Sequence, residues 1–304
     1  MPKFITDINN AMLITHGGNF HADDVLATCI LRHVFPDAKV ARVFEIQKSA
    51  CKGKIVYDIG GGALDHHQAG GNGWHQNGIP YASAGLVWKK FGRRAITGAN
   101  ASEKDYIFNT VDRRLIQPID AYDNGVMPKV KYATQPLSAA EIIEAFNPSW
   151  DSEESTDDAF ERAVQFMDQI YRNEVERAAA IARGKSIAMA AIDNAKGHIM
   201  ILDTYVPYEV AAVKANKKRD CNDAIWYCVF PSNRGGWNCY CIPMHGDHFK
   251  RIKLFPRSWR GKPPEKLQEL TGIMTIKFCH RDGFVVATDT KADAITAAKL
   301  AVKA

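Results

Sequence analysis

The sequence predicts an α/β fold in two domains. Short apolar segments alternate with amphipathic helical segments over the first third of the chain, which predicts a parallel sheet. An acidic stretch at 147–158 then leads into a long amphipathic helix, and strand-like segments with a C-terminal helix follow it. We therefore expect a parallel-sheet domain over 1–155, a connecting helix over 156–185, and a smaller α/β domain over 186–304.

The elements are assigned from the spacing of apolar residues. In the first domain the predicted strands are Ala11–Thr15, Lys39–Phe44 and Lys54–Ile59, and the predicted helices are Asp24–Phe35, Ser83–Phe91 and Ser102–Ile116, with Ser102 as an N-cap. Beyond a helix over Ala159–Ala182, the predicted strands are Ile187–Ile192, His198–Leu202, Ala224–Pro231, Gly236–Pro243 and Ile273–Cys279, with a last helix over Lys291–Val302. Ligands of parallel α/β sheets gather at the carboxyl ends of the strands, so we expect the site there.

Composition narrows the class of protein. The 304 residues are 46% hydrophobic and 24% charged, as in soluble globular proteins. No apolar run is long enough to span a membrane, and the N-terminus lacks a signal core, which predicts a cytoplasmic or nuclear location. Seven scattered cysteines indicate reduced thiols. The net charge of +5 is compatible with a polyanionic substrate.

Histidine and aspartate residues concentrate in the turns of the first domain. They are His16, His21, Asp23, Asp24, Asp58, Asp65, His66, His67, Asp120 and Asp123. Imidazole and carboxylate together suit Mn²⁺, Fe²⁺ or Zn²⁺ better than Ca²⁺. Any one of these residues alone is commonly a core residue or a helix cap, but a pair of divalent ions needs a bridging carboxylate and several terminal ligands. The combination therefore predicts a dinuclear metal site.

Four segments carry a family resemblance. They are 15–27 (THGGNFHADDVLA), 56–68 (VYDIGGGALDHHQ), 81–92 (YASAGLVWKKFG) and 121–126 (AYDNGV), with weaker matches at 255–261 (FPRSWRG) and 278–284 (FCHRDGF). The sequence resembles the DHH phosphoesterase superfamily, named for the Asp-His-His triplet at 65–67, and within it the melanocyte proliferating gene 1 family of exonucleases. The resemblance implies two domains with a catalytic cleft between them. It also implies two divalent ions, usually Mn²⁺ with Mg²⁺ as the alternative, that hydrolyse phosphate ester or anhydride bonds.

The resemblance also implies roles for individual residues. The implied metal ligands are His16, His21, Asp23, Asp58 as the bridge, His66 and Asp123. His67 would contact the phosphoryl group, and Asp65 would orient an imidazole. The superfamily usually has Asp where this chain has His21. Asp24 and Asp120 stay open as alternatives to Asp23 and Asp123.

Arginine, glycine and tryptophan stand together twice in the second domain, at 234–237 (RGGW) and 259–261 (WRG). This combination suits a loop that holds a phosphate and stacks a base, although a hairpin turn and core tryptophans would also explain it. Arg260, Arg234 and His280 are the candidate substrate-binding residues. Cys239, Cys241, His245 and His248 allow a zinc site, but the strand periodicity of this segment favours a core face for both cysteines.

The sequence thus favours a Mn²⁺-dependent 3′–5′ exonuclease that hydrolyses single-stranded RNA or a short oligonucleotide by a two-metal mechanism. The RNA substrate rests on the resemblance. One alternative is a small-molecule phosphatase or pyrophosphatase, or a hydrolase of short oligonucleotides. Another is a nucleic-acid-binding module with a structural metal and no turnover.

Overall fold

The computed structural model describes residue 5 and residues 7–126, 136–220 and 222–304. The chain divides into two compact units, 1–179 and 180–304, and the boundary falls within the long helix α6 (Thr156–Asp193). Because the two units have separate cores, each is described by itself.

A three-stranded parallel sheet forms the centre of the first unit. Its strands are β1 (Leu13–His16), β2 (Val40–Val43) and β3 (Ile55–Val56), in the order β2-β1-β3. Leu13 and Ile14 are both fully buried, as expected for a parallel strand covered on both faces. The predicted parallel α/β arrangement is therefore confirmed for this unit. The third strand is shorter than predicted, because the backbone of Asp58 leaves the extended region.

Five complete helices accompany the sheet in the described part of the first unit. They are α1 (Ala22–Val34), α2 (Ser83–Ala95), α3 (Ala101–Val111), α4 (Gln117–Asp123) and α5 (Ala139–Glu144). A π-helical segment, Asp112–Ile116, joins α3 to α4. The predicted N-cap at Ser102 was wrong: Asn100 caps α3, its side chain accepting from the N–H of Glu103, whose carboxylate accepts in turn from the N–H of Asn100. This reciprocal capping box satisfies two helix-end donors.

The buried side chain of Arg42, on β2, holds the loop that follows β1. Its guanidinium donates to the carbonyl oxygens of His16 and Gly18 at 3.2 and 2.6 Å, and to the carboxylate of Asp157 at 2.8 Å. The same group lies 4.2 Å from the ring centroid of Phe160, in the core. One arginine can make all these hydrogen bonds because its planar guanidinium group carries five N–H donors.

The second unit contains a mixed five-stranded sheet. Its strands are β4 (Ile199–Ile201), β5 (Tyr227–Pro231), β6 (Trp237–Cys241), β9 (Ile276–Cys279) and β10 (Val285–Thr288), in the order β4-β5-β6-β10-β9. Only the β4–β5 pair among these is parallel. The other described elements are the hairpin β7 (Pro243–Met244) and β8 (Asp247–Arg251), and the helices α7 (Glu209–Asn216), α8 (Pro264–Thr271) and α9 (Lys291–Lys303).

The strand predicted at Ile187–Ile192 was wrong, because this segment is the last part of α6. Ala188 and Ile192, four residues apart, are buried together in one hydrophobic cluster, which is the spacing of a helical face. Three alanines within the segment also favour a helix.

Cys239 and Cys241 are buried in the core of the second unit, with Trp237 packed against the same cluster. This agrees with the predicted core face. The side chain of His248 lies outside the described residues. None of the described helices is long and apolar enough to cross a membrane.

Candidate metal centre

The site begins where two neighbouring strands end. His16 is the last residue of β1, and Asp58 follows β3 by two residues. Their side chains meet, with His16 Nε2 3.3 Å from Asp58 Oδ2. Asp58 has a φ of 56°, and its N–H donates to the carbonyl of Leu64 at 3.1 Å. The carboxyl ends of the strands therefore carry these two groups, as the parallel topology predicts.

The first turn of α1 completes one cluster around His16. Asp24 Oδ2 lies 3.0 Å from His16 Nε2, while Asp24 Oδ1 accepts from the N–H of His21 at 3.0 Å. The ligand atoms of His16, Asp24 and Asp58 lie close enough together to hold one metal ion.

A second cluster comprises Asp23, His66 and Asp123. His66 Nε2 lies 2.9 Å from Asp123 Oδ2, and His66 Nδ1 lies 3.8 Å from Asp23 Oδ2. The carboxylate of Asp23 also accepts from the N–H groups of Ser83 and Ala84 at the start of α2, at 3.0 and 2.5 Å. The N-terminus of that helix therefore fixes the orientation of Asp23.

The Asp-His-His triplet forms a third cluster with Asp58. Asp58 Oδ1 lies 3.4 Å from His66 Nδ1 and 3.5 Å from His67 Nδ1. Asp65 Oδ1 lies 2.8 Å from His67 Nδ1, and Asp65 Oδ2 accepts from the N–H of Gly61 at 2.7 Å. Asp58 thus directs one oxygen at His16 and the other at the triplet.

Asp120 and Asp123 are on the same helix but have different partners. Asp120 is fully buried, and its two oxygens are occupied by His75 Nε2 at 2.6 Å and by the N–H of Gly85 at 3.0 Å. Burial raises the pKa of Asp120 to about 6 in spite of His75. Asp123 instead contacts His66. The geometry therefore favours Asp123 over Asp120 as a ligand.

The crowded carboxylates shift one another's protonation. Burial, with the charges of Asp58 and Asp123, raises the pKa of Asp23 well above its ordinary value. Burial also raises the pKa of Asp24, although His16 opposes it.

The imidazoles have the opposite effect on Asp58. Burial disfavours a charged His16, yet its hydrogen bonds to Asp24 and Asp58 raise its pKa to about 10. Burial likewise disfavours a charged Asp58, but His16, His66 and His67 together hold its pKa below the ordinary value. Protons and imidazolium charge thus compensate the carboxylates here. A divalent cation could supply this positive charge in place of the protons, because metal binding displaces protons from the ligands.

Comparison with known proteins identifies the family. The model of the MYG1 exonuclease family, described as "Uncharacterised protein family (UPF0160)", matches residues 12–302. The chain belongs to this family. A MYG1 protein of Schizosaccharomyces pombe is 29% identical over 97% of this chain and 98% of its own length, and the MYG1 exonuclease of Homo sapiens is 26% identical over 94% and 84%. A solved pGpG-specific phosphodiesterase, PggH from Vibrio cholerae, aligns over 97% of each chain with 12% identity and a TM-score of 0.26, a likeness too low to carry an argument.

His21 is the one predicted ligand of this MYG1 family member that lies apart from the three clusters. It is the N-cap residue of α1, its side chain is exposed, and its ring centroid is 6.2 Å from that of His16. The carboxylate that lies beside His16 Nε2 is that of Asp24, in the first turn of α1.

Sequence reasoning missed Ser83 as a site residue. Its hydroxyl donates to Asp58 Oδ1 at 3.0 Å and lies 3.2 Å from His66 Nδ1, while its N–H donates to Asp23. The available signal was the predicted start of a helix at Ser83, since exposed N–H groups at a helix start attract carboxylates.

The predicted substrate-binding residues of this family member belong to the second unit. Arg260 donates from Nε to the carbonyl of Phe255 at 2.8 Å, and its side chain packs over Gly283. His280 is partly exposed, and its Nδ1 accepts from the N–H of Asp282 at 3.1 Å. The backbones of Arg260 and His280 lie near each other, because the N–H of Gly261 donates to the carbonyl of Cys279.

Arg234 is exposed on the turn between β5 and β6. Gly235 and Gly236 form this turn, where the N–H of Ser232 donates to the carbonyl of Gly236 at 2.9 Å. Trp259 is only 6% exposed and packs in the core, so its ring is not available to stack on a base.

Proposed function

We propose that this protein is a metal-dependent phosphodiesterase of the DHH type, acting as a 3′–5′ exonuclease on RNA through two Mn²⁺ or Mg²⁺ ions. The observation that carries the proposal is the position of Asp58, whose two oxygens belong to two different clusters of candidate ligands. The relatives named MYG1 exonuclease support the class of reaction. A cytoplasmic or nuclear location accords with an RNA substrate.

The proposed ligands fall into two sets that share Asp58. His16 and Asp58, with Asp24 or His21, would hold one ion. Asp58, Asp23, His66 and Asp123 would hold the other. When bound, such a pair lowers the pKa of a shared water and neutralises charge on the phosphoryl oxygens.

His67 is the proposed contact to the phosphoryl group. Its side chain is 58% exposed, whereas that of His66 is 12% exposed. Asp65 Oδ1 lies 2.8 Å from His67 Nδ1, so the carboxylate would fix the orientation of the ring and leave Nε2 for the substrate. When Nε2 is protonated, it can donate a hydrogen bond to a phosphoryl oxygen or a proton to the leaving oxygen. Asp65 is therefore a positioning residue for His67.

Substrate contacts are proposed for the basic groups of the second unit. Arg260, Arg234 and His280 would hold phosphates of the strand, since arginine pairs with two phosphate oxygens at once. Salt separates a long substrate from a small one, because binding that engages many phosphates weakens steeply as salt rises.

The test is hydrolysis of a 5′-labelled single-stranded RNA with Mn²⁺, comparing the wild type with His66→Ala. We expect a ladder that shortens from the 3′ end. His66→Ala should lose more than the roughly 100-fold that removing an outer partner of a metal site costs. His245→Ala is the matched control, since His245 is exposed on the turn between β7 and β8, outside the candidate ligand clusters.

Two results would contradict the proposal. Equal activity of His66→Ala and the wild type would place the reaction elsewhere. No cleavage of RNA by protein shown to contain bound metal would favour a small phosphorylated metabolite as the substrate.

A further inference from the structure

A cavity of about 510 Å³ in the second unit is lined by aromatic and amide side chains. Its principal lining residues are Tyr205, Tyr208, Glu209, Phe230, Asn238 and Tyr240. None of these is a candidate residue of the metal centre or of the basic groups discussed above. The volume lies within the range of about 300–1,000 Å³ that is usual for small-molecule sites.

The floor of the cavity is one face of the sheet. The β5–β6 register pairs Phe230 with Asn238 and Cys228 with Tyr240. Residues opposite each other in an antiparallel pair point to the same face, so Phe230, Asn238 and Tyr240 lie side by side. The ring centroids of Phe230 and Tyr240 are 5.3 Å apart.

The wall is formed by the segment that leads into α7. Tyr208 is 2% exposed and lies 5.6 Å from the ring of Phe230. Tyr205 is 57% exposed and lies 5.2 Å from the same ring. Tyr208 and Phe230 therefore make a fixed apolar support, whereas Tyr205 presents most of its surface at the mouth. A ring in that position can stack on a flat ligand.

The polar side chains that line the cavity include the amide of Asn238 and the carboxylate of Glu209. Neither makes a hydrogen bond or ion pair to another residue in the part of the chain that the structure describes. The amide can donate and accept, and the carboxylate accepts from N–H groups. A carboxylate also disfavours a phosphate in the same space. The chemistry fits a flat, uncharged ring that offers two or more N–H bonds along one edge, as bases with an amino group do and uracil does not.

We infer that this cavity binds one nucleobase of the substrate. Tyr205 stacks on the base, Asn238 and Glu209 bond to its edge, and a base with an amino group is preferred to uracil. The inference rests on the proposed function to the extent that the substrate is a nucleic acid, and it adds a base-recognition site remote in the sequence from the predicted metal ligands.

Direct binding tests the inference without turnover. GMP, UMP and ribose 5-phosphate are titrated into the full-length, Mn²⁺-loaded protein by calorimetry. GMP should bind at least about 10-fold more tightly than ribose 5-phosphate, since stacking of one base has roughly that effect or more. UMP should bind more weakly than GMP. Ribose 5-phosphate controls for the phosphate contribution.

Two variants assign the binding to the cavity. Tyr205→Ala and Asn238→Ala should each weaken GMP binding about 10-fold, leaving ribose 5-phosphate unchanged. Tyr205→Phe keeps the ring and should bind GMP like the wild type. Tyr106→Ala and Asn222→Ala are controls of matched type outside the cavity. Because Tyr205 is largely exposed, its replacement leaves the core intact.

Equal affinity for GMP and ribose 5-phosphate would overturn the inference, as would wild-type GMP binding by Tyr205→Ala. The two proposals fail in different ways. GMP binding lost in Tyr205→Ala, with no RNA hydrolysis by the wild type, would contradict the proposed exonuclease and support the base site. RNA hydrolysis with GMP binding unchanged in Tyr205→Ala would contradict the base site alone.

Discussion

Asp58 has a left-handed backbone conformation, which residues other than glycine seldom adopt, although aspartate tolerates it better than most. Such a conformation costs of order 1–3 kcal/mol and persists where surrounding contacts enforce it. Here the contacts are the Leu64 carbonyl on its N–H and the hydroxyl of Ser83 on its carboxylate. The turn places the carboxylate between His16 and the triplet, so the local strain accompanies the proposed bridging role.

Gly85, in the first turn of α2, has no space for a side chain. A Cβ at this position would lie 2.7 Å from Tyr81 Cδ1 and closer still to Asp120 Oδ2. We predict that Gly85→Ala lowers the free energy of unfolding by about 1–3 kcal/mol, as overpacking of a close-packed site does. Urea denaturation measures the change.

Gly62→Ala is the control for this prediction. A Cβ at Gly62 meets no atom within 4 Å, and its φ is not in the left-handed region. This variant should change the free energy of unfolding by less than about 0.5 kcal/mol. Equal stability of the two variants would show that Asp120 moves away from Gly85 at little cost.

At the scale of elements, two helices begin at the carboxylate clusters. Asp23 and Asp24 stand in the first turn of α1, and Asp23 also accepts from the first N–H groups of α2. The positive end of each helix dipole therefore faces negative charge. This arrangement stabilises the charge of carboxylates that are buried near one another.

A salt bridge joins the π-helical segment to α6. Arg114 donates from Nε and a terminal nitrogen to the carboxylate of Glu174, at 2.7 and 3.2 Å. The hydrogen bond from Arg114 holds the pKa of Glu174 below its ordinary value. The pair is therefore fully stabilising above the unfolded glutamate pKa of about 4.3 and is lost as the pH falls through the lower folded value.

We predict that Glu174→Gln lowers the free energy of unfolding by about 0.5–1 kcal/mol at pH 7. The difference from the wild type should shrink once the pH falls below about 4.3. Chemical denaturation at several pH values measures both. Glu153→Gln, at an exposed position without a described partner, should differ from the wild type at neither pH. A difference that persisted in acid would mean that packing rather than charge is lost.

At the scale of the whole molecule, metal binding at the candidate centre would stabilise the folded protein. Divalent ions that bind the folded first unit and not the unfolded chain add about 2.7 kcal/mol at 100 times the dissociation constant. For a unit of this size that corresponds to an increase of about 5–10 °C in Tm. We predict that Mn²⁺ raises the Tm for unfolding of the first unit by this amount, and that a chelator reverses the increase.

Asp58→Asn should abolish the Mn²⁺-dependent rise in Tm, measured by scanning calorimetry. The matched control is Asp37→Asn, at an exposed aspartate outside the clusters, which should keep it. A rise of the same size in Asp58→Asn would show that the bound metal does not use this carboxylate.

Local patterns predicted much of the fold. The last helix was predicted over Lys291–Val302 and spans Lys291–Lys303, and the side chain of Thr290 caps its start by accepting from the N–H of Asp293. The long helix was predicted to end near Ala182, but it continues to Asp193. The prediction stopped too early because a short run of apolar residues suits a strand as well as a helix. The π-helical segment Asp112–Ile116 lies within the single helix predicted over Ser102–Ile116, because the spacing of apolar residues does not distinguish a π turn from an α turn.

The sequence by itself determined the α/β class, the parallel strands of the first unit, and the gathering of histidine and aspartate at their ends. Those features depend on apolar spacing and on residues close together in the chain. Only the tertiary structure decided which carboxylate faces which imidazole. Asp120 and Asp123 stand less than one turn apart on α4, yet one is enclosed by His75 and Gly85 and the other contacts His66. Segments far apart in sequence make that choice when they pack, and no local periodicity records it.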